Sequence, residues 1–330
     1  MSDIAERVGV SKVAVSAVLS GSAGNHTRVA EATRRRILDA AREMNYAPNG
    51  LAKMFRQKST GIIGLYLGEW LLSTQDMFLA EIVGGLQWAC NEFRKDLLIH
   101  GTFRGQSTED IYLELISRKI DGLILFARED DALAQRLALA SMPVVAIADA
   151  VSTLPSVVVD DCLGSRLIVE YLASKGHRRA LYRRGRLFQT SERRRYEAFQ
   201  SAAAQHGMSV VEDAERAAKF EFGLSEVEKA ILKQPLWKRP TAIVCNNDLL
   251  AYASVDYCQD EKLRVPDDVA IVGFDGLVPQ IRPAAQLTTI RAPWSQVAHT
   301  ALALVVQHLG GESIPDETVL PVELVIGDTA

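Results

Sequence analysis

The sequence predicts a small helical segment followed by a two-lobed α/β body built on parallel sheets. Three observations carry this reading. From Ile62 to Ile147 short apolar runs alternate with longer amphipathic stretches, and the same rhythm restarts at Ser156. The first sixty residues hold short helical stretches instead, with an excess of basic charge. At 330 residues, 48% hydrophobic and 24% charged, the chain has an ordinary globular composition and a length suited to two or three folding units.

Ile4, Ala5 and Val8 give the first helix an apolar face, and Gly9 breaks it. Ser11 is a good N-cap for a second run, with Val10 before it as an anchor and Val15, Val18 and Leu19 as its buried face. Two short helices joined by a tight glycine turn form the helix-turn-helix pattern, in which the second helix enters the major groove; an unremarkable helical hairpin is the alternative. A third helix runs from Glu31 to Asn45, with Ile37, Ala41 and Met44 on one face and Arg34, Arg35, Arg36 and Arg42 mostly on others. Pro48 then starts a new element, Asn49 can cap a short helix from Leu51 to Phe55, and residues 57–61 form a polar linker. Residues 1–60 carry a net charge of +5 and the remainder −9. A basic segment on an acidic body suggests that only the first part meets a polyanion.

In the body, Ile62–Leu67, Leu97–Ile99, Gly122–Phe126 and Pro143–Ile147 read as strands. Helices fall between them across Phe78–Phe93, up to Arg118 and near 131–140. The second series is Ser156–Asp160, Arg179–Tyr182, Thr241–Cys245 and Val269–Phe274, with helices after Asp161, at Arg194–His206 and at Leu249–Gln259. Such a βαβ rhythm implies buried parallel sheets. Two similar lobes result, the last segments crossing back, and ligands in such sheets bind beyond the carboxyl ends of the strands, in a cleft.

No apolar run approaches the roughly 18–20 residues of a membrane span, and Met1–Arg7 is charged from its third residue, unlike a signal peptide. Cys90, Cys162, Cys245 and Cys258 are widely spaced, and the six histidines form no ligand spacing. No metal or redox site is expected, and the chain reads as a reduced cytoplasmic protein. No nucleophile-elbow, zinc-protease, phosphate-loop or dinucleotide motif is present, so an enzyme is not expected.

Val10-Ser11-Lys12-Val13-Ala14-Val15-Ser16, then Asn45-Tyr46-Ala47-Pro48-Asn49 and Ala52-Lys53, resemble the lactose-repressor (LacI/GalR) family of bacterial transcription regulators. In the body Val158–Asp161, Lys175–Arg179, Asn247-Asp248, Arg264–Val269, Val272–Asp275 and Leu287–Arg291 resemble its regulatory core, so the likeness spans nearly the whole chain in order. The resemblance implies a helix-turn-helix domain at 1–46, a hinge helix and linker at 47–60, and a periplasmic-binding-protein-like core at 61–330. One lobe would take about 61–158 and 291–318, the other about 159–290 and 319–330. It implies a repressor that binds double-stranded DNA as a homodimer and answers to a small-molecule effector, commonly a sugar, with no other cofactor. The alternative is a solute-binding module without DNA function, which would carry an export signal and no helix-turn-helix.

Carried over residue by residue, the resemblance assigns DNA contacts to Ser11, Lys12, Val13, Ser16, Ala17, Asn49, Ala52 and Lys53, with Phe55 as a minor-groove wedge. The family usually has a long polar residue where Ala17 stands and Leu where Phe55 stands, and its motif begins several residues later. Effector contacts fall on Arg195, Asp149, Asn247 and Asp275, with Phe78 and Phe126 as stacking walls and Trp70 and Phe220 as weaker candidates. Loop capping is the alternative for the two aspartates, and core packing for Phe78 and Phe126. Six arginines between 183 and 195 fit an anionic effector or, more ordinarily, a solvated surface. Only Gly327–Ala330 follow the last apolar run, which leaves no heptad helix for a tetramer and favours a dimer.

Overall fold

The computed structural model describes residues 1–19, 29–46, 59–68, 76–101, 105–185, 189–213, 222–277 and 286–330. The chain forms two compact units, Met1–Gly61 and Ile62–Ala330.

In the first unit α1 (Ser2–Val8) ends on Gly9 at φ 72°, the left-handed conformation that glycine adopts without steric cost. The Val10 amide closes this turn on the Ala5 carbonyl at 3.0 Å. α2 (Lys12–Leu19) opens under Ser11, whose Oγ accepts from the Ala14 amide at 3.2 Å, the cap expected from sequence. α3 (Glu31–Glu43) stops two residues before the expected end, where Asn45 turns to φ 48°. Ile4, Ala5, Val8, Val15, Val18, Ile37, Ala40 and Ala41 make one apolar cluster. Met44, expected on that face, is exposed, because the helix has already ended. Arg36 donates to the Val8 carbonyl at 2.9 Å and satisfies the end of α1.

The second unit holds two six-stranded sheets. One takes β1 (Ile62–Tyr66), β2 (Asp96–His100), β3 (Gly122–Leu125), β4 (Val144–Ile147), β5 (Ser156–Val159) and β11 (Glu317–Leu320), in the order β11-β5-β4-β3-β1-β2. The other takes β6 (Arg179–Arg183), β7 (Ser209–Val211), β8 (Ala242–Cys245), β9 (Ala270–Asp275), β10 (Thr288–Arg291) and β12 (Glu323–Val325), in the order β12-β10-β9-β8-β6-β7. Pairing among the described residues is parallel except for β10 with β12. The two-sheet parallel architecture is the one the sequence predicts, and the last segments do cross back. Strands buried on both faces need unbroken apolar runs, as β3, β4 and β8 show, with every residue buried.

Between the strands lie α4 (Met77–Phe93), α5 (Thr108–Leu115), α6 (Ala132–Leu137), α7 (Asp161–Ser174), α8 (Thr190–Gln205), α9 (Glu226–Leu232), α10 (Asp248–Asp260) and α11 (Trp294–Leu309). The chain passes between sheets after Val159, around Ala292 and after Leu320, which brings the strand ends of both halves together. Gly164 in α7 is required there: a Cβ would stand 2.5 Å from the Phe274 ring. α8 begins at Thr190, four residues before the expected start, because its cap comes from the other half of the unit.

Candidate functional site: an exposed helix face and a buried arginine at the strand ends

Val15 and Val18 anchor α2 to the core, which turns Ser11, Lys12 and Val13 outward; Val13 is 66% exposed. Ser16 and Ala17 are half-buried on the flank of the same helix. This face offers one flexible ammonium and one apolar side chain, chemistry suited to a guanine O6 or N7 and a thymine methyl. Asn49, Ala52, Lys53 and Phe55 lie outside the described residues.

In the second unit the strand ends converge on Arg195, in the second turn of α8 and 6% exposed. Its Nε donates to Asp161 Oδ1 at 2.7 Å and its Nη1 to the Asn246 carbonyl at 2.7 Å. Asp275 Oδ1 stands 3.7 Å from Nη1. The guanidinium lies 3.6 Å from the centre of the Phe274 ring, a cation–π contact. Asp160 caps α7 by accepting from the Leu163 amide at 2.7 Å, so Asp161 is released from that duty and turns to Arg195. Burial pushes the Asp161 carboxyl up and Arg195 opposes it.

Asp275 ends β9 at φ 123°, a conformation that side-chain-bearing residues rarely adopt and that concentrates at functional sites. Burial raises its carboxyl above the ordinary range, against the pull of Arg195. Asp248, the first residue of α10, is buried beside it; it accepts from Thr289 Oγ1 at 2.5 Å and the Leu277 amide at 2.8 Å. Asp248 is also raised, by burial first and then by Asp275. Asn247 accepts from the Leu250 amide at 2.9 Å and so caps α10.

Asp149 follows β4, placed by Ala148 at φ 69°. Its two oxygens accept from the Thr190 and Ser191 amides at 3.1 and 2.7 Å. A carboxylate from one half thus caps a helix of the other, where unpaired N–H groups and the helix dipole favour negative charge. A second link is bidentate: Arg194 donates to Glu317 at 2.7 and 2.9 Å. Burial lifts the Asp149 carboxyl to about 6, although the two amides pull it down. A carboxyl whose folded pKa exceeds its unfolded one is protonated first in the folded state, so its contribution to stability falls as pH rises between the two values. Replacing the carboxyl with a carboxamide, which does not titrate, removes that pH dependence. The difference in unfolding free energy between Asp149→Asn and the parent, followed by denaturant titration, is therefore expected to shift in the variant's favour by on the order of 2 kcal/mol from about pH 4 to about pH 6.

Phe78 and Phe126 are half-buried and edge-to-face at 6.0 Å, and Phe78 meets Trp294 at 4.8 Å. Trp70 and Phe220 lie outside the described residues. The site therefore gathers Arg195, Asp275 and, through α8, Asp149. It also uses Asp161, Asp248, Asn246 and Trp294, which sequence reasoning did not single out; a second carboxylate directly after a helix-capping Asp160 was the available signal for Asp161.

Most of the described arginines in the run are not on the solvated surface that was the ordinary expectation; Arg193 is exposed as expected, and Arg186 lies outside the described residues. Arg183 is fully buried against Glu228. Arg184 pairs with Glu192 at 3.0 Å and lies 4.0 Å from the Tyr196 ring centre. Arg193 faces Glu197 at 3.6 Å, and Arg194 and Arg195 are paired as above. For Arg183, Arg184, Arg194 and Arg195, close carboxylates on neighbouring elements explain the difference.

Comparison with known proteins fits this arrangement. Residues 1–49 match the family described as bacterial regulatory proteins, lacI family, and residues 169–330 match a periplasmic binding protein-like domain. The chain is 30% identical over 315 residues to the HTH-type transcriptional repressor PurR of Photobacterium profundum, covering 93% of this chain and 91% of that one. It is 28% identical over 326 residues to the ribose operon repressor of Escherichia coli K12, covering 94% and 92%. Among solved structures, the Lac repressor dimer bound to operator and the anti-inducer ONPF superposes with a TM-score of 0.81 at 23% identity, covering 99% and 97%. A CelR–cellobiose complex superposes with a TM-score of 0.68 at 23% identity, covering 99% and 98%.

Proposed function

The chain belongs to the lacI family of bacterial regulatory proteins, and from that premise we propose a homodimeric repressor that binds a palindromic operator and answers to a sugar-like effector in its core. Regulation of transcription through DNA is the family's work. The dimer, the effector class and a cytoplasmic setting are what we infer beyond it. The observation that carries this reading is the pairing of an outward-facing recognition helix with a buried Arg195 site, where strand ends of both halves meet. A guanidinium and carboxylates at strand ends suit vicinal hydroxyls, and aromatic rings beside them suit the apolar face of a sugar.

In this reading the effector binds one relative arrangement of the two halves better than the other and shifts their equilibrium. Residues 47–60 then hold or release the two recognition helices at half-site spacing, with Phe55 as the wedge in the minor groove. Two-fold symmetry of the dimer makes the operator a palindrome.

The test is fluorescence anisotropy of the full chain on tiled fragments from upstream of its own gene, over a salt series, with and without a panel of sugars and derivatives. One fragment bound far above the rest, and altered by a compound, supports the reading. Weak, uniform binding that fades with salt reports only the electrostatic contribution and counts against it. On the preferred fragment, Lys12→Ala is expected to cost about 1–3 kcal/mol and to relax discrimination at one base position. An equal loss on every fragment would reduce Lys12 to a phosphate contact.

A further inference from the structure

In the core three buried carboxylates stand around one buried site arginine. Asp161, Asp248 and Asp275 are all buried; Arg195 pairs with Asp161 and stands 3.7 Å from Asp275, with Arg194 acting on Asp161 from further off, while Asp248 is held by Thr289 and the Leu277 amide. Its Nε and Nη1 are already engaged, on Asp161 and on the Asn246 carbonyl. Asn246, 7% exposed, adds a further acceptor: its side-chain Oδ1 is buried with no hydrogen-bond partner among the described residues. Buried acceptors of this kind are unfavourable in a low-dielectric interior until a donor or a positive charge arrives.

A cavity of about 640 Å³ adjoins the cluster through Asp275. Its wall has the same bias. Glu81 and Trp88 of α4 and Trp294 of α11 face Asp275, Arg291 and Glu323 from the other half. Arg291 is the cation among the described lining residues, and its Nη1 donates to Glu323 Oε1 at 3.0 Å. That leaves Glu81, and Asp275 shared with Arg195 at 3.7 Å. The wall also holds Trp88, one face of which meets His299 at 4.3 Å, and carboxylates beside an aromatic ring suit ammonium groups. Trp294 Nε1 is buried with no acceptor among the described residues, so a hydroxyl oxygen on the same ligand would suit it. An anion meets the opposite situation, because Arg183, Arg184, Arg193, Arg194 and Arg195 each already face a carboxylate.

We propose that the effector of this core is a polyol bearing a protonated amine, of the amino-sugar class, with its ammonium group at Asp275. The proposal rests on reading the core as an effector-binding module and narrows the ligand from sugars in general to cationic ones. The neutral hydroxyls answer the indole and Asn246, and the charge answers the carboxylates.

The experiment is a thermal-shift screen of the full chain, without DNA, at pH 7.5, using hexoses and pentoses in three matched forms: free amine, neutral or N-acetylated, and carboxylate or phosphate. The expected result is stabilisation by members of the amine set, with N-acetylation of any hit weakening its Kd at least tenfold. Calorimetry of the best hit is expected to show at least a tenfold loss in Asp275→Asn. Glu81→Gln, on the outer wall, provides a second variant should Asp275→Asn fold poorly, and a several-fold loss is expected there. Stabilisation chiefly by neutral or anionic members, or by none of the amines, overturns the proposal. Failure of the repressor reading is separately visible: an amine that binds the chain while no upstream fragment is bound selectively leaves the ligand class standing and removes the DNA function.

Discussion

Arg195→Ala is expected to destabilise the core by about 3–5 kcal/mol, because removing one partner of a buried ion pair strands the other. Asp161 would keep its charge in the interior or take up a proton, and the Asn246 carbonyl would lose its donor. The Phe274 ring would lose the guanidinium stacked 3.6 Å above it. Denaturant titration of the parent and variant measures this directly. The double variant Arg195→Ala with Asp161→Asn is expected to recover part of the loss, since the stranded carboxylate goes with it. A double variant as unstable as the sum of the singles would show that the two residues do not act on each other.

The same substitution is expected to abolish the effector response, and the two effects separate experimentally. Operator affinity without effector, measured at a temperature where the variant is still folded, reports whether the DNA-binding unit is intact. An unchanged response to effector in a folded Arg195→Ala would place the ligand elsewhere.

Much of this was legible in the sequence for identifiable reasons. Parallel strands buried on both faces must be continuously apolar, so the runs Gly122–Phe126, Pro143–Ile147 and Thr241–Cys245 find β3, β4 and β8, each one residue longer than the strand observed. The turn between α1 and α2 was visible because Gly9 and Ser11 act on their own neighbours. What stayed hidden depends on residues far apart in the chain. Gln189, the residue before α8, makes no side-chain cap; the cap is Asp149, 41 residues from Thr190, so the helix start could not be placed locally. Likewise Arg195 could be singled out, but Asp161 is 34 residues away and Asn246 is 51, and no periodicity connects them. β7, β11 and β12 lie at sheet edges with mostly exposed or half-buried residues, so no continuous apolar run marks them and their pairing partners define them.

Within the arginine run the contrast is sharpest at Arg183, which belongs among the most buried side chains of the chain although six arginines in thirteen positions read as surface. It ends β6 and ties four segments together. Its Nη1 donates to the Leu250 carbonyl at 2.5 Å and to Ser254 Oγ at 2.7 Å, both on α10. Its Nη2 donates to the Phe222 and Gly223 carbonyls at 3.0 and 2.7 Å. Its Nε lies 3.4 Å from both oxygens of Glu228 on α9. A planar guanidinium reaches all of these at once, and a lysine ammonium does not. Arg183→Lys is therefore expected to lose most of what Arg183→Met loses, about 3–5 kcal/mol, despite keeping the charge. Pairing Arg183→Met with Glu228→Leu removes both charges, and stability is expected to recover toward the parent, as it does where buried ion pairs are replaced by apolar groups of similar volume. α10 begins with Asp248 beside Asp275, so the loosened variant is also expected to bind effector more weakly while the double variant regains affinity. A lysine variant as stable as the parent would mean that charge alone, without the fork of donors, holds these segments at the site.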